Sequence, residues 1–251
     1  MHTRNTLANI RVVLIHTSHP GNIGSAARAM KTMGLSELYL VKPKSFPDER
    51  AVAMSSSATD ILNKAVVVDT MQEAIADCQL VVGASARHER TLSWDIQDPR
   101  DCGELLVQQA NLNKVAVVFG RESSGLSNDE LALCQHLLHI QANPEYSSLN
   151  VASAVQIISY ECRMAWLAQK KVNKLPSESE SQGNIVTASD MEGYYKHLET
   201  TMIKSGFLDP ENPKHLMTRL RRIYGRIHLD RSELNILRGM LSAFQKVSRN
   251  K

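Results

Sequence analysis

Nowhere in this 251-residue chain do apolar residues run long enough to cross a bilayer. The longest stretches, such as Val115 to Gly120, fall far short of the ~20 residues a spanning helix needs. The first eleven residues are polar and lack the apolar core of a secretory signal. Both absences predict a cytoplasmic protein with no membrane partner. Paired cysteine motifs are missing too: Cys78, Cys102, Cys134 and Cys162 stand apart, which argues against a CxxC redox or zinc motif and predicts reduced thiols filling space. The pairs His16/His19 and His136/His139 have no acidic or cysteine companion, and their spacing on strand or loop does not converge two imidazoles, so no metal is expected.

The common nucleotide signatures are absent as well. Gly120 and Gly125 have the spacing of P-loop glycines, but Leu126-Ser127 stands where Lys-Ser/Thr is required. The first strand-like run leads into Gly21-Asn22-Ile23-Gly24 instead of G-x-G-x-x-G, and no acid closes the second run to hold a ribose. An NTPase, a Rossmann dinucleotide enzyme and a Rossmann-type methylase are thereby disfavoured.

What is present is ordinary globular composition, 43% hydrophobic and 22% charged, in a chain long enough for a large core plus a small appendage. Apolar runs at Ile10 to His16, Leu38 to Val41, Ala65 to Asp69, Leu80 to Ser85, Val115 to Gly120 and His136 to Gln141 read as strands. Amphipathic stretches lie between most of them, one ending at Gly34 and one beginning at the cap Thr70. The alternation predicts an α/β fold, a mostly parallel sheet with helices on both faces. A long helix over about Leu149 to Lys170, apolar along Val151, Val155, Ile158, Cys162 and Trp166, should pack on the sheet or on a second subunit.

Residues 171–189 lose periodicity and gain Ser, Glu, Pro and Gly, the composition of a flexible linker. Helical order returns after them. Ser189/Glu192 form a capping-box pattern, Gly206 is placed to end that helix, Asn212-Pro213 opens a second and Asp230/Glu233 cap a third. The reading is three parts: a sheet domain over 1–170, a linker over 171–189 and a small all-helical domain over 190–251. From Lys214 onward ten Lys/Arg face only Asp230 and Glu233, so this tail carries +8 and leaves −5 for the rest of a chain whose net charge is +3. A basic tail on an acidic body points to a polyanionic partner, with a solvated helix face as the alternative.

Three loops concentrate the chemistry: His19 to Arg28, Phe119 to Ser127 and Ala142 to Ala154. Each follows a strand-like run and precedes a helical pattern, where open α/β sheets place their ligands, so one composite pocket is expected. Residue by residue they match the motifs of the SPOUT methyltransferases, in the branch that methylates RNA ribose 2′-hydroxyls. Asn22, Gly24 and Arg28 fit the first motif, Phe119-Gly120-Arg121-Glu122 with Gly125-Leu126 the second, and Ser147-Ser148-Leu149-Asn150-Val151 the third. Asn143-Pro144-Glu145-Tyr146 replaces the Met-x-Gly stretch of most relatives. With the C-terminal helical extension, this resembles the tRNA enzymes of the branch that act on nucleotide 32 of the anticodon loop.

The resemblance implies a C-terminal trefoil knot in the sheet domain, S-adenosylmethionine as cofactor, a homodimer, and the tRNA anticodon stem-loop as partner. An rRNA 2′-O-methyltransferase, or a non-catalytic RNA-binding module on the same fold, is the alternative. Catalytic roles fall on Arg28, Asn22, Glu122, Ser148 and Asn150. Arg28 is assigned to anchoring phosphate and stabilising the nascent alkoxide, because a guanidinium hardly deprotonates. Glu122 orients Arg28 or Asn22, or else caps the following helix; Ser148 and Asn150 contact the cofactor or the nucleophile's neighbourhood, cap a helix, or do both. Cofactor contacts are expected from Ala84, Ser85, Ala86, Gly120, Ile140, Ser147, Ser148 and Leu149. RNA contacts are expected from Arg28, Arg87, Arg90, Trp94 and Arg121, the segment around Trp94 being otherwise a solvated loop.

Overall fold

The computed structural model of the chain describes residues 6–86, 95–172, 186–227 and 229–249. Seven strands form one sheet: β1 (Ile10–Ile15), β2 (Glu37–Val41), β3 (Val66–Val68), β4 (Leu80–Ala84), β5 (Asp95–Gln97), β6 (Val115–Phe119) and β7 (His136–Leu138). Their order is β3-β2-β1-β6-β4-β7-β5 and every pairing is parallel. Late strands are inserted between earlier ones, β6 between β1 and β4 and β7 between β4 and β5, in keeping with a knotted crossing.

Period-two alternation explains the layers. Val12 and Leu14 of β1 join one core with Val115 and Val117, while Val13 and Ile15 join another with Ala116 and Val118. Both faces of the sheet are thus dry, which is why its central strands read as unbroken apolar runs. The first face is covered by α1 (Pro20–Met33), α2 (Glu49–Ser55), α3 (Thr59–Lys64), α5 (Pro99–Ala110) and α7 (Val151–Val172); the second by α4 (Met71–Ile75) and α6 (Asn128–Leu131). Thr70 caps α4 by accepting from the Glu73 amide at 3.2 Å, as its sequence position predicts.

Two elements differ from the sequence reading for physical reasons. The His19 to Arg28 segment is not a loop: Pro20 starts α1, its fixed φ suiting the first helical position, and the helix runs to Gly34, a left-handed cap at φ 89°. Gly24 lies inside this helix because a Cβ there would overlap the Ala51 carbonyl of α2. The second difference is the short edge strand β5, whose Asp-Ile-Gln carries one apolar residue and no pattern. Helices α2 and α3 were likewise too short to show a period.

Three helices follow: α8 (Ala188–Lys204), α9 (Leu216–Gly225) and α10 (Arg231–Arg249). They share a core of their own around Tyr194, Leu198, Leu234 and Leu241. The capping box of α8 is Thr187 with Asp190, two residues before the Ser189/Glu192 pattern, and Val186 and Met191 occupy the flanking apolar staple positions within that core. Asp230 and Glu233 cap α10 reciprocally at 2.8 and 2.9 Å. Most of the expected linker, 173–185, lies outside the described residues. Its end is fixed to the sheet domain: the Ala188 and Ser189 amides donate to the carbonyls of Cys78 and Ala76 at 2.8 and 3.2 Å.

Candidate active site

The sheet order decides where a site forms. From β1 the chain leaves toward β2, whereas from its neighbour β6 it leaves toward β7, so the loops after β1 and β6 part and open a crevice at the carboxyl ends of the strands. Glu122, three residues beyond β6, spans that crevice. Its carboxylate accepts from the Ser18 amide at 3.1 Å, the Ser18 hydroxyl at 3.1 Å and Nδ2 of Asn22 at 3.0 Å. Burial pushes the Glu122 carboxyl up, but hydrogen bonds from Asn22, its own amide and Ser18 outweigh this and hold it below the usual range.

An ionised carboxylate only accepts, so Asn22 must turn Nδ2 toward Glu122 and Oδ1 away from it. That oxygen receives Nδ2 of Asn150 at 2.9 Å, and Oδ1 of Asn150 receives the Ala152 amide at 2.9 Å. Asn150 therefore caps α7 and joins the site at once. The three motifs meet in this one chain of hydrogen bonds, Glu122 to Asn22 to Asn150, and the polarity of every amide in it is set by the carboxylate.

Beside it lies a cleft at the ends of β4, β6 and β7. Ala84, Ser85 and Ala86 form one rim, Gly120 to Leu126 another, and Ile140 with Ser147, Ser148 and Leu149 a third. All eight residues expected to touch the cofactor line it. Gly120 is obligatory here, since a Cβ would overlap the Gly125 backbone. Gly125 itself sits at φ 69° and closes a tight turn in which the Arg121 and Gly125 amides and carbonyls exchange hydrogen bonds of 2.8 and 3.2 Å.

Arg121 lines the cleft and is held in place by an acid. Glu130 grips its guanidinium through two bonds, at 2.9 and 3.0 Å, and so fixes the turn to the start of α6. Arg28 is exposed on α1, lines neither the cleft nor the groove beside it, and makes no side-chain hydrogen bond among the described residues. Arg87, Arg90 and Trp94 lie outside the described residues. Sequence reasoning missed Ser18 and His139. Ser18 acts largely through its backbone amide, which no residue type advertises; Nδ1 of His139 lies 3.0 Å from the Ser85 carbonyl at the cleft rim.

Mostly small or apolar walls with serine hydroxyls along the rim suit an adenosyl group with a charged tail. Among the described residues no group of three or more His, Cys, Asp or Glu could hold a metal, and none of their helices is long and apolar enough to cross a membrane.

Residues 9–160 match the SpoU rRNA Methylase family, and residues 189–251 match the C-terminal domain of the tRNA methyltransferase TrmJ. The tRNA (cytidine/uridine/adenosine-2′-O-)-methyltransferase TrmJ of Pseudomonas aeruginosa is 55% identical over 97% of this chain and 96% of its own. The crystal structure of TrmJ from Z. mobilis ZM4 superimposes with a TM-score of 0.80 at 29% identity, covering 94% of this chain and 98% of that one. The SpoU methyltransferase AviRb from Streptomyces viridochromogenes, in complex with the cofactor AdoMet, does so with a TM-score of 0.50 at 25% identity, over 62% of this chain and 60% of that one.

Proposed function

The chain belongs to the SpoU methylase family, and from that premise we propose that it transfers a methyl group from S-adenosylmethionine to ribose 2′-hydroxyls of tRNA, at cytidine or uridine. The observation that carries the reading is the hydrogen-bonded chain Glu122–Asn22–Asn150, which stands beside the cleft and unites all three motifs. S-adenosylmethionine, when bound, supplies a sulfonium methyl open to attack by a ribose oxygen. Held by Ala84, Ser85, Ala86, Gly120, Ile140, Ser147, Ser148 and Leu149, it would lie against that chain.

The protein's own groups position and polarise. Glu122 is saturated with donors and held ionised, which makes it a poor proton acceptor at neutral pH and a firm anchor for Asn22. Asn150 keeps one Nδ2 hydrogen beyond its bond to Asn22, placed to donate to a ribose oxygen. Arg28, whose guanidinium hardly deprotonates, serves by holding phosphate and balancing charge on the 2′-oxygen while the hydroxyl proton passes to solvent water. Ser148 contributes a hydroxyl on the cleft rim. Arg87, Arg90 and Trp94 remain the candidates for gripping the anticodon loop, with nucleotide 32 as target, and Arg121 supports the turn between cofactor and RNA.

The three-part division of the chain, 1–170, 171–189 and 190–251, belongs to this reading, as does a cytoplasmic site of action. So does a homodimer. Ile157, Tyr160, Met164 and Leu167 form a stripe along α7, with Tyr160 47% and Leu167 36% exposed, a face that a second copy would cover. Sedimentation of the full chain at dilute concentration checks it; an active monomer would refute it.

The family's description mentions rRNA, but the match of the basic C-terminal helices and the tRNA relatives favour tRNA. Labelled-methyl transfer to purified tRNA and rRNA decides: incorporation into tRNA supports the proposal, and incorporation into rRNA alone refutes it.

A further inference from the structure

On the far side of Asn22 from the cleft runs a second depression, a groove between α1 and α2. His19, Asn22 and Ser25 form one wall, Arg50 and Met54 the other, and Asn150 closes one end. We infer that this groove seats the RNA strand bearing the target nucleotide, and that Arg50 is a phosphate-holding residue opposite Arg28. The inference rests on the methyltransferase reading above and adds to it the path of the substrate.

Cleft and groove share a boundary. Glu122 lines the cleft and Asn22 the groove, so their 3.0 Å bond crosses the boundary, and Asn150 joins Asn22 at 2.9 Å on the groove side. In-line transfer needs the 2′-oxygen to reach the methyl carbon directly, from the side opposite sulfur, and two adjoining concavities that meet beside Asn22 can bring the reactants together there. The helix α1 extends the groove to Arg28. Gly21, Ser25 and Arg28 are spaced i, i+4 and i+7 and share one face; since Gly21 and Ser25 line the groove, Arg28 stands one turn farther along it. Arg28 thus lines neither concavity and still stands beside the site.

On the opposite wall the Arg50 guanidinium is exposed and forms no hydrogen bond or ion pair among the described residues. The nearest acid in sequence, Asp48, is engaged by the Ser45 hydroxyl and the Arg50 amide, both at 2.8 Å. One uncommitted guanidinium in the groove wall and a second a turn beyond its lining on α1 suit successive phosphates of a single strand. Met54, 52% exposed, offers an apolar edge for a base. Ala51 at Gly24 holds α2 against α1 and so sets the groove's width.

The test uses the full-length protein and three variants, Arg50→Ala, Arg50→Lys and Ala53→Trp, the last filling the groove from a lining position. For each, tRNA affinity at several salt concentrations, methyl-transfer kinetics and S-adenosylmethionine affinity are measured. Arg50→Ala should weaken tRNA binding about tenfold and lower the salt slope by about one, Arg50→Lys should restore most of both, and Ala53→Trp should abolish transfer; all three should keep cofactor affinity. Wild-type tRNA affinity and turnover in Arg50→Ala and Ala53→Trp would overturn the inference, as would a parallel fall in cofactor affinity in both. A wild-type protein that methylates no tRNA would instead overturn the functional reading.

Discussion

Asn150 at the head of α7 donates to Asn22 in the first turn of α1 at 2.9 Å, a bond that closes the site across 128 positions of sequence. The same Asn150 accepts from the Ala152 amide at 2.9 Å, so its two ends do different work: the oxygen caps a helix, the nitrogen completes the chain to Glu122.

Those roles separate by substitution. Asn150→Asp keeps the capping oxygen and sets a carboxylate oxygen against Oδ1 of Asn22. Stability should stay within about 0.5 kcal/mol of wild type while turnover falls roughly 100-fold. Asn150→Ala loses the cap as well and should cost about 1 kcal/mol. Denaturant melts beside turnover assays read both, and equal turnover in Asn150→Asp and wild type would detach the bond from catalysis.

Arg28 does not line the cleft, so Arg28→Ala should lower methyl transfer at least ~100-fold with S-adenosylmethionine affinity unchanged. Calorimetry and single-turnover kinetics separate the two quantities. Near-normal turnover would remove Arg28 from the mechanism.

Far from the site, the buried Arg11 pairs with Asp77 at 2.6 Å and stacks over Tyr39 at 3.8 Å, while Lys114 reaches Asp77 at 2.7 Å. Burial pushes the Asp77 carboxyl up, but the bonds from Arg11 and Lys114 prevail and bring it down to about 2. A carboxyl depressed in the folded state stabilises above its unfolded value, ~3.9, and the contribution fades as pH falls toward 2. Asp77→Asn should therefore destabilise at neutral pH by about 2 kcal/mol, less than the ~3–5 for breaking a wholly buried pair because Asp77 is half exposed. The gap from wild type should narrow between pH 4 and pH 2 (order-of-magnitude bounds, ~4 to ~2). A gap independent of pH would refute the assignment.

The C-terminal charge is not uniformly available. Glu192 holds Arg221 at 2.6 Å and Asp190 holds Arg231 at 2.6 Å, so these two build the bundle. Arg219 on α9 and Arg226 at its C-cap are instead exposed. Replacing both by alanine should weaken tRNA binding and reduce its salt slope by about one to two, with cofactor binding intact. An unchanged slope would make the bundle a structural appendage.

The sheet was legible because its central strands are buried on both faces and carry unbroken apolar runs, as at Val115 to Phe119. Where an element is short or polar, as in β5 and α2, no period exists to read. The cleft was legible through its glycines and serines, whose need for close backbone approach is met at Gly120. The groove was not, because Arg50 and Met54 come from a helix outside the motifs and meet α1 only through the packing of Gly24 on Ala51. Nor could residue types show that Arg121 is spent on Glu130, a pairing that depends on how the turn folds back. The crossing order of the late strands is beyond any periodicity argument.

The most direct test of the account is to incubate the full-length protein with S-adenosylmethionine and unmodified tRNA, then locate the methyl group by nuclease digestion and mass spectrometry. The account predicts a single 2′-O-methyl ribose, at the pyrimidine in position 32 of the anticodon loop, present with wild type and lost with Asn150→Asp. A methyl group on a base, or no methylated nucleotide in tRNA, would contradict it.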